Sequence, residues 1–504
     1  MYGTRAAVLM PEVTESKLRA DDGGQELAGT LAGKCVEFLR PLLETMDKQM
    51  DVRLVRTVAH TVTALIRHRN RSLALLLSEL GAYLAGPEHA PAGTKRLANL
   101  LHSDHWQAGV VDDYLLAQGH RRAQEEALRV EEGRALCILD GSVLEKPEST
   151  RAAGLSPVRS SKARRLSRPR PKLGKGYFRG KPGGPIVVPG FHWVGVLITG
   201  WADALQRRPV TLGAWHWYAK PLPEGEPEPK VTEGGIPRQR EKEAARSVLD
   251  RVVAACGAER LLHVWDRGFC GAPWLGEALD KGWHFVVRWK KGNRLRPVGA
   301  PSVGNPLTTM GQRDRDGVVA WRLTAGLRAW GQRLVENPRN PHQPIAVSFA
   351  AREVRLMHRD DPLWLVVVRL GKSTRRRRST TEPWRLLTTE PVTTAEQCWR
   401  IVQAYVARWQ IEQMLRYGKN ELGIESVRVR EWETRAKLLA LVSLVYAFLV
   451  DLLGDGSAPF LPALLRWAHR TGRQANAAWR CLYRLRAALA SLWQRHTPSL
   501  QGFP

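Results

Sequence analysis

Hydrophobic residues follow successive patterns along the chain, and each pattern predicts a different kind of structure. Up to about residue 130 they recur at helical spacing, as in residues 35–46 and 72–84, which predicts a helical region. From about residue 135 to residue 300 they form short runs of strand length, with one amphipathic helix at residues 238–259. This order predicts an α/β fold with a central mixed sheet, preceded by helices.

A change of pattern after residue 300 predicts an insertion in the sheet region. Runs typical of β-strands occur at residues 317–330, 344–357 and 362–371, and helical spacing returns at Thr393. We therefore expect a helical region, a first α/β part, a β-rich insertion, a second α/β part and a helical C-terminal region. Their expected bounds are residues 1–130, 131–300, 301–383, 384–455 and 456–504.

The helix predicted from Thr393 has recognisable start and stop signals. Thr393 with Glu396, and Thr394 with Gln397, both have the spacing of a capping box. Gly423 is a suitable residue for the end of this helix.

The net charge of the chain indicates the kind of molecule that it binds. The chain has 77 Lys and Arg residues against 49 Asp and Glu, a formal net charge of +28. Residues 151–202 contain eleven Lys or Arg and no acid, and residues 375–378 are four consecutive arginines. Clustered positive charge of this size indicates a polyanion, most often nucleic acid, although a basic surface kept for solubility or a flexible basic linker would have the same composition.

Other compositional features exclude several classes. The six cysteines lie far apart without a CxxC pair, which argues against zinc ribbons and a disulfide framework and suits the cytosol. No signal peptide is visible, and the most apolar run, residues 438–450, is too short to cross a bilayer. We expect no membrane partner.

The N-terminal region contains one candidate DNA-contacting segment. Gly93 and Thr94 precede Lys95 and Arg96, which predicts basic residues in the first turn of a helix, where backbone N–H groups also attract phosphate. A helix-turn-helix-like reader of DNA and an ordinary helical bundle explain this segment equally well.

Three acidic residues occupy positions suited to chemistry. Asp140 and Asp266 end predicted buried strands, and Glu412 lies within the long predicted helix. Carboxylates held rigidly at strand ends suit hard divalent cations, and a pair of such cations supports phosphodiester cleavage. A carboxylate cluster for cations and basic residues for a nucleic-acid backbone would explain why Glu412 lies among basic residues.

Helical geometry places basic and aromatic residues on the same side as Glu412. At about 100° per residue, Tyr405, Arg408, Glu412 and Lys419 fall within an arc of about 60°, provided that Gly418 does not bend the helix. A solvated stripe of charged residues would give the same arrangement.

The spacing of these residues resembles the Y-R-E-K signature of the IS4-type DDE transposases. "LDGSVLEKP" resembles the first-Asp segment of that family, with Asp140 and Lys146, and "WDRGF" resembles its second-Asp segment, with Asp266. "FVVRWKKGNR" resembles the basic strand end that follows it. The resemblance covers roughly residues 90–450.

The resemblance implies an RNase H-like catalytic core with a β-rich insertion, helical N-terminal and C-terminal regions, and cut-and-paste transposition of DNA. It implies that Asp140, Asp266 and Glu412 are the catalytic residues and bind two Mg²⁺ ions, for which Mn²⁺ would substitute. Members of the family often form a DNA hairpin in which an aromatic residue holds a flipped base. Candidates for that role are Trp289, Trp321 and Trp330. The residues expected to bind DNA are Tyr405, Arg408, Lys419, Arg288, Lys290, Lys291, Arg294, Lys146, Lys95 and Arg96.

The partners implied are double-stranded DNA, as transposon terminal inverted repeats and target, and a second copy of the chain in a synaptic complex. The implied location is the bacterial cytoplasm, in association with the nucleoid. Two alternatives stay open from the residues: a catalytically silent domesticated DNA-binding protein, and another RNase H-like DNA nuclease.

Overall fold

The structure is a computed structural model, and it covers most of the predicted elements. It describes residues 22–68, 75–129, 134–149, 152–160, 186–200, 212–221, 236–298, 317–335, 344–371, 382–453, 460–468 and 482–498. Most of the predicted basic loop (residues 161–185) and the four arginines at residues 375–378 lie outside these ranges.

The N-terminal region is helical, as its hydrophobic spacing predicts. Its helices are α1 (Asp22–Asp47), α2 (Val52–His68), α3 (Leu77–Ala85), α4 (Ala90–His102) and α5 (Ala108–Arg129). The helices α3 and α4 cross so closely that a Cβ added at Gly93 would lie only 2.0 Å from the carbonyl oxygen of Gly81. Glycine at this crossing lets the two backbones touch.

A mixed sheet follows in the chain, which confirms the predicted α/β architecture. Its strands are β1 (Ala135–Glu145), β2 (Ser156–Arg159), β3 (Val187–Thr199), β4 (Leu212–Tyr218), β5 (Leu261–Trp265), β6 (His284–Arg288), β7 (Arg294–Pro297), β8 (Val318–Val319), β9 (Gly331–Val335), β10 (Ile345–Arg355), β11 (Leu363–Leu370) and β12 (Trp384–Thr388). The strand order is β2-β3-β1-β5-β6-β12-β11-β10-β7-β8, with β4 paired to β3 and β9 paired to β10. The strands of the predicted insertion therefore extend the central sheet.

The centre of the sheet contains its parallel strands. β1 pairs parallel with β5, and β5 pairs parallel with β6. On one side β3 runs antiparallel to β1, and on the other β12 runs antiparallel to β6. A parallel strand that is covered on both faces has a nearly continuous apolar sequence. All five residues of β5 are buried, and for this reason its sequence predicts a strand.

Further helices pack against the sheet or against other helices. They are α6 (Glu241–Cys256), α7 (Ala272–Asp280), α8 (Ala320–Thr324), α9 (Ala395–Ala407), α10 (Trp409–Asn420), α11 (Trp432–Leu452), α12 (Leu461–Leu465) and α13 (Leu482–Arg495). Among the described residues, no helix has the length and apolar character needed to span a membrane.

Two hydrophobic cores lie on opposite faces of the sheet. Leu136 and Ile138 of β1 belong to the first core, which also contains residues from α1, α2, α11 and α13. Cys137 and Leu139 of the same strand belong to the second core, with residues from α6 and α7. Alternation along β1 thus fixes both layers at once. The N-terminal and C-terminal helices pack into the same core as one face of the sheet.

One predicted strand is wrong. Residues 317–330 were expected to form a strand, but the structure has only the two-residue β8 followed by the short helix α8. The buried residues Ala320 and Leu323 are three positions apart, which is a helical spacing, and the hydroxyl of Thr324 donates to the carbonyl of Ala320. Helical burial overrides the strand propensity of this short segment.

Candidate active site

The parallel pairing of β1 and β5 brings Asp140 and Asp266 together. In the parallel pairing of β1 and β5, Ile138 stands opposite Val264, and each aspartate lies two residues further along its chain. Equivalent positions on neighbouring strands point to the same face, so the two carboxylates lie on one side of the sheet. Register between two buried strands therefore brings together residues that are distant in sequence.

Local hydrogen bonds orient both aspartates. The carboxylate of Asp140 accepts a hydrogen bond from the N–H of Gly141 at 2.9 Å. The carboxylate of Asp266 accepts one from the N–H of Gly268 at 2.7 Å and caps the 3-10 turn Arg267–Phe269. β1 continues to Glu145, so the prediction that Asp140 ends its strand is wrong, whereas Asp266 directly follows β5 as predicted. The middle of one strand and a tight turn after another thus hold the two carboxylates on rigid backbone.

Arg408 connects Glu412 with Asp140. The guanidinium of Arg408 donates through Nη1 to Asp140 Oδ2 at 3.1 Å and through Nη2 to the Glu412 carboxylate one helical turn away. The Arg408 side chain is 15% exposed, the Asp140 side chain 19% and the Glu412 side chain 32%. Each of the two outer nitrogens of one arginine therefore binds a different carboxylate.

Arg408 lies between two helices. α9 begins after the capping box of Thr394 and Gln397, which is one of the two predicted capping boxes, and ends at Ala407. α10 begins at Trp409, so Arg408 forms the junction, although its backbone stays right-handed at φ −51° and ψ −30°. α10 ends at Asn420 and the left-handed Gly423 follows, so Gly418 does not interrupt the helix.

Tyr405 and Arg288 join the cluster from another direction. The buried Tyr405 ring packs edge-on against Trp384 with ring centroids 5.8 Å apart, and Arg288 lies over the same Trp384 ring. Burial raises the pKa of Tyr405, whereas the charges of Arg408 and Arg288 act in the opposite direction, and Asp266 raises it further. Tyr405 therefore lies within electrostatic range of both arginines and of Asp266.

Lys419 contacts β1, the strand that Arg408 also contacts through Asp140. Its ammonium donates to the hydroxyl of Ser142 at 2.9 Å, and Ser142 lies two residues after Asp140 on β1. Residues two apart on a strand share a face, so Arg408 and Lys419 both contact the face that carries Asp140. Ser142 was not predicted as a site residue, since a serine after a strand acid has no distinctive pattern.

The electrostatics of Asp140 link the three acids. Burial raises its pKa to about 7, and the negative charges of Asp266 and Glu412 raise it as well. Arg408 and the hydrogen bond from Gly141 act to lower it. Asp266 and Glu412 therefore both act on Asp140, and a cation at this position would relieve the repulsion.

The chemistry of these donors fits Mg²⁺, but their arrangement differs from a loaded metal centre. Carboxylate oxygens are the protein ligands that hard divalent cations prefer. Within the described part of the chain, however, no group of three or more His, Cys, Asp or Glu side chains is arranged to hold a metal ion. The Arg408 guanidinium lies between Asp140 and Glu412, so a side chain with a single positive charge contacts two of the carboxylates.

Lys146 requires a correction. It was expected on the DNA-binding surface, but its side chain is only 1% exposed. Its ammonium donates to the backbone carbonyls of Glu425 and Val427, and Arg435 donates to the carbonyls of Val427 and Val429. These two buried cations hold the segment that follows α10, and Lys146 does not reach the surface where a phosphate would bind.

Lys95 and Arg96 lie in the N-terminal helices and not beside the three acids. The predicted first-turn position is wrong, because α4 begins at Ala90 and both residues fall in its second turn. Lys95 is exposed. Arg96 donates to Thr57 Oγ1 at 2.8 Å and contacts the ring of His60, so it ties α4 to α2.

The basic turn after β6 has an exposed part and a structural part. Lys290 and Lys291 are exposed. Arg294 donates to the carbonyl of Gly317 at 2.6 Å, which ties the turn to the beginning of β8. Two basic side chains of this turn are therefore presented to solvent, while Arg294 also helps to fold the turn.

The candidate aromatic residues differ in exposure. Trp289 is 5% exposed and is a core residue, so its ring is not available to hold a flipped base. Trp321 is 46% exposed and Trp330 is 40% exposed. The backbone N–H of Trp321 donates to the carbonyl of Lys291, so this exposed ring lies beside the basic turn.

The protein is thus a mixed α/β protein in which carboxylates and basic side chains meet beside the central strands β1 and β5. Residues 239–448 match the model of the family described as the transposase DDE domain, and this match supports a DDE transposase family for the chain. The matched segment includes Asp266, Tyr405, Arg408, Glu412 and Lys419, whereas Asp140 precedes it. None of the curated proteins with which the sequence was compared matches it.

Proposed function

We propose that the chain is the transposase of an IS4-type insertion sequence, and that its mixed sheet is an RNase H-like catalytic core. The observation that carries the proposal is the convergence of Asp140, Asp266 and Glu412, which interact electrostatically although they are distant in sequence. The match to the transposase DDE domain supports the same conclusion independently, because it includes two of these three acids.

The three carboxylates would hold two Mg²⁺ ions, or Mn²⁺ in their place. When bound, such ions activate an attacking oxygen and stabilise the negative charge of a leaving oxygen. The protein supplies carboxylates on a strand, a tight turn and a helix, and buries Asp140 so that its charge is poorly solvated. A poorly solvated carboxylate gains more from a cation than an exposed one does.

The basic residues around the acids would bind DNA phosphates. Arg408, Lys419 and Tyr405 surround the carboxylates and would hold the phosphates of a transposon end. Arg288, with the turn residues Lys290, Lys291 and Arg294, would contact the adjacent backbone, which gives affinity without base selection. Lys95 and Arg96 would contribute from the N-terminal region, where a helix-turn-helix-like reader and an ordinary bundle remain alternatives.

The reaction consists of two displacements at phosphorus. In the first, the oxygen of water bonds to phosphorus and the bond from phosphorus to the 3′ oxygen breaks, which leaves a 3′-hydroxyl on the transposon strand. In the second, that hydroxyl attacks another phosphodiester, either on the opposite strand or in target DNA, and releases another 3′-hydroxyl. Both steps place charge on the same kind of oxygens, so one site serves both. A synaptic complex with a second copy of the chain would pair the two transposon ends, in association with the bacterial nucleoid.

A single substitution tests the site. Glu412→Gln removes the negative charge and keeps the size of the side chain, so we expect the variant to bind duplex DNA but lose cleavage in Mg²⁺. Glu396→Gln is the matched control, because Glu396 is an exposed carboxylate on the preceding helix, with its side chain 65% exposed. Cleavage retained by Glu412→Gln would reject the proposed role of this residue.

The rival functions make different predictions. A catalytically silent DNA-binding protein would not nick transposon-end DNA with any divalent cation. A nuclease of related fold would nick DNA but would not join the freed 3′-hydroxyl to a second duplex. A strand-transfer assay with the wild-type chain therefore separates all three functions.

A further inference from the structure

Arg408 has the position of an internal counter-ion between two proposed metal ligands. Its guanidinium contacts Asp140 and Glu412 at the same time. The arginine side chain is only 15% exposed, so solvent screens these contacts weakly. In the protein without DNA, a cation of the chain itself therefore already contacts two of the three carboxylates, and its single positive charge offsets part of their negative charge.

This arrangement sets Arg408 and a divalent cation in competition. A carboxylate oxygen that accepts from a guanidinium has less electron density to offer a metal, and the positive charge of the arginine repels a second cation. A divalent cation must therefore displace Arg408 or bind weakly beside it.

A DNA phosphate offers Arg408 another partner. Guanidinium groups bind phosphate with the same two-pronged geometry that they use for carboxylates. The face that carries Arg408 is reachable from solvent, because the side chain of Glu412, one turn further on, is 32% exposed and the neighbouring Trp409 is 52% exposed. A DNA backbone that approaches this face would meet the arginine at the rim of the carboxylate cluster.

We propose that Arg408 couples metal binding to DNA binding: without DNA it occupies the carboxylates, and a DNA phosphate draws it away and frees them for the cations. This inference rests on the proposed function of the same site. It describes a regulatory contact that delays assembly of the metal centre until DNA is bound. Ion and DNA would then strengthen each other's binding by the same factor, as thermodynamic linkage requires.

The first test measures metal binding without DNA and without activity. Mn²⁺ is titrated into the full chain, and free Mn²⁺ is measured by electron paramagnetic resonance. We expect Arg408→Gln to bind Mn²⁺ about tenfold more tightly than the wild type, within the usual range of coupling between sites. Arg408→Lys, whose single ammonium is a poorer match for two carboxylates, should fall between the two.

Arg416→Gln is the matched control. Arg416 is an exposed residue of α10 one turn after Glu412, so its removal changes the net charge equally without freeing the carboxylates. Arg408→Gln with the affinity of Arg416→Gln, or with a lower affinity, would overturn the inference. Arg408→Lys guards against a folding defect, because it retains the positive charge.

The second test measures the reciprocal effect on DNA. Fluorescence polarisation of a labelled duplex is measured in Mn²⁺ and in EDTA, with Arg416→Gln as the reference. Mn²⁺ should tighten DNA binding by Arg416→Gln and should have a much smaller effect on Arg408→Gln. An equal effect in the two variants would contradict the coupling.

Glu412→Gln separates failure of this inference from failure of the proposed function. If Glu412→Gln weakens Mn²⁺ binding but Arg408→Gln does not strengthen it, the metal site stands and only the coupling is wrong. If Glu412→Gln has no effect on Mn²⁺ binding with or without DNA, the carboxylate is not a metal ligand and the proposed function fails as well.

Discussion

The burial of Asp140 predicts an unusual dependence of stability on pH in the metal-free protein. Its pKa is raised from 3.8 to about 7, chiefly by burial. Between these values the folded protein keeps the Asp140 proton while the unfolded chain has lost it, so stability falls as pH rises. The substitution Asp140→Asn removes the titrating group and should remove this fall.

The magnitude follows from the size of the pKa shift. A shift of about 3 pH units corresponds to about 4 kcal/mol at roughly 1.4 kcal/mol per unit, as an upper limit for the whole range. From pH 5 to pH 8 only about 2 units of this range are crossed, which corresponds to about 3 kcal/mol. The free energy of unfolding of Asp140→Asn, relative to the wild type, should therefore rise by up to about 3 kcal/mol from pH 5 to pH 8.

Urea unfolding in EDTA, followed by tryptophan fluorescence at pH 5 and pH 8, measures this difference. Asp104→Asn is the control, because Asp104 is an exposed carboxylate between α4 and α5 and the chemical change is the same. A difference between Asp140→Asn and the wild type that stays constant between the two pH values would refute the reasoning, since it would mean that Asp140 is well solvated in the folded protein.

Two further predictions concern packing. Lys146→Met should lower the midpoint of thermal unfolding, because it leaves buried carbonyls without their donor, at a cost of about 1–3 kcal/mol; Lys290→Met, at an exposed lysine, should not, and equal midpoints would contradict the structural role. Gly93→Ala should destabilise the protein by about 1–3 kcal/mol, because the added methyl meets the backbone of Gly81. Gly33→Ala, in an open position of α1, should leave the midpoint unchanged or raise it, and a similar loss in both glycine variants would show that the helix crossing is not the cause.

Much of the fold was accessible from the sequence because central strands such as β5 are buried on both faces. The apolar runs before Asp140 and Asp266 located β1 and β5, but β1 continues past Asp140 to Glu145, so only the end of β5 was predicted correctly. The capping box at Thr394 marked the start of α9, and helical periodicity grouped Arg408 with Glu412. These signals are local, and each depends only on a few neighbouring residues.

Sequence analysis does not reveal the contacts between residues that lie far apart in the chain. Lys146 follows a strand and has the pattern of a surface residue, but its ammonium binds carbonyls about 280 positions later in the sequence. The contact of Lys419 with Ser142 joins a helix to a strand in the same way. Periodicity defines the face of a helix, but not the strand against which that face packs.

The contact between Arg408 and two acids was also beyond sequence analysis. A helical projection places Arg408 beside Glu412, but only the tertiary structure brings Asp140 to the same guanidinium. Sequence analysis therefore grouped the charged residues correctly on the helix and did not reveal that one of the basic residues contacts two of the acids.

The central claim is that Asp140, Asp266 and Glu412 jointly hold divalent cations over a DNA phosphate. The most direct measurement is anomalous X-ray scattering from crystals of the chain grown with duplex DNA and Mn²⁺. The account predicts manganese within coordination distance of all three carboxylates, with Arg408 turned to a phosphate. Manganese located elsewhere, or an Arg408 that still binds Asp140 and Glu412 beside bound DNA, would contradict it.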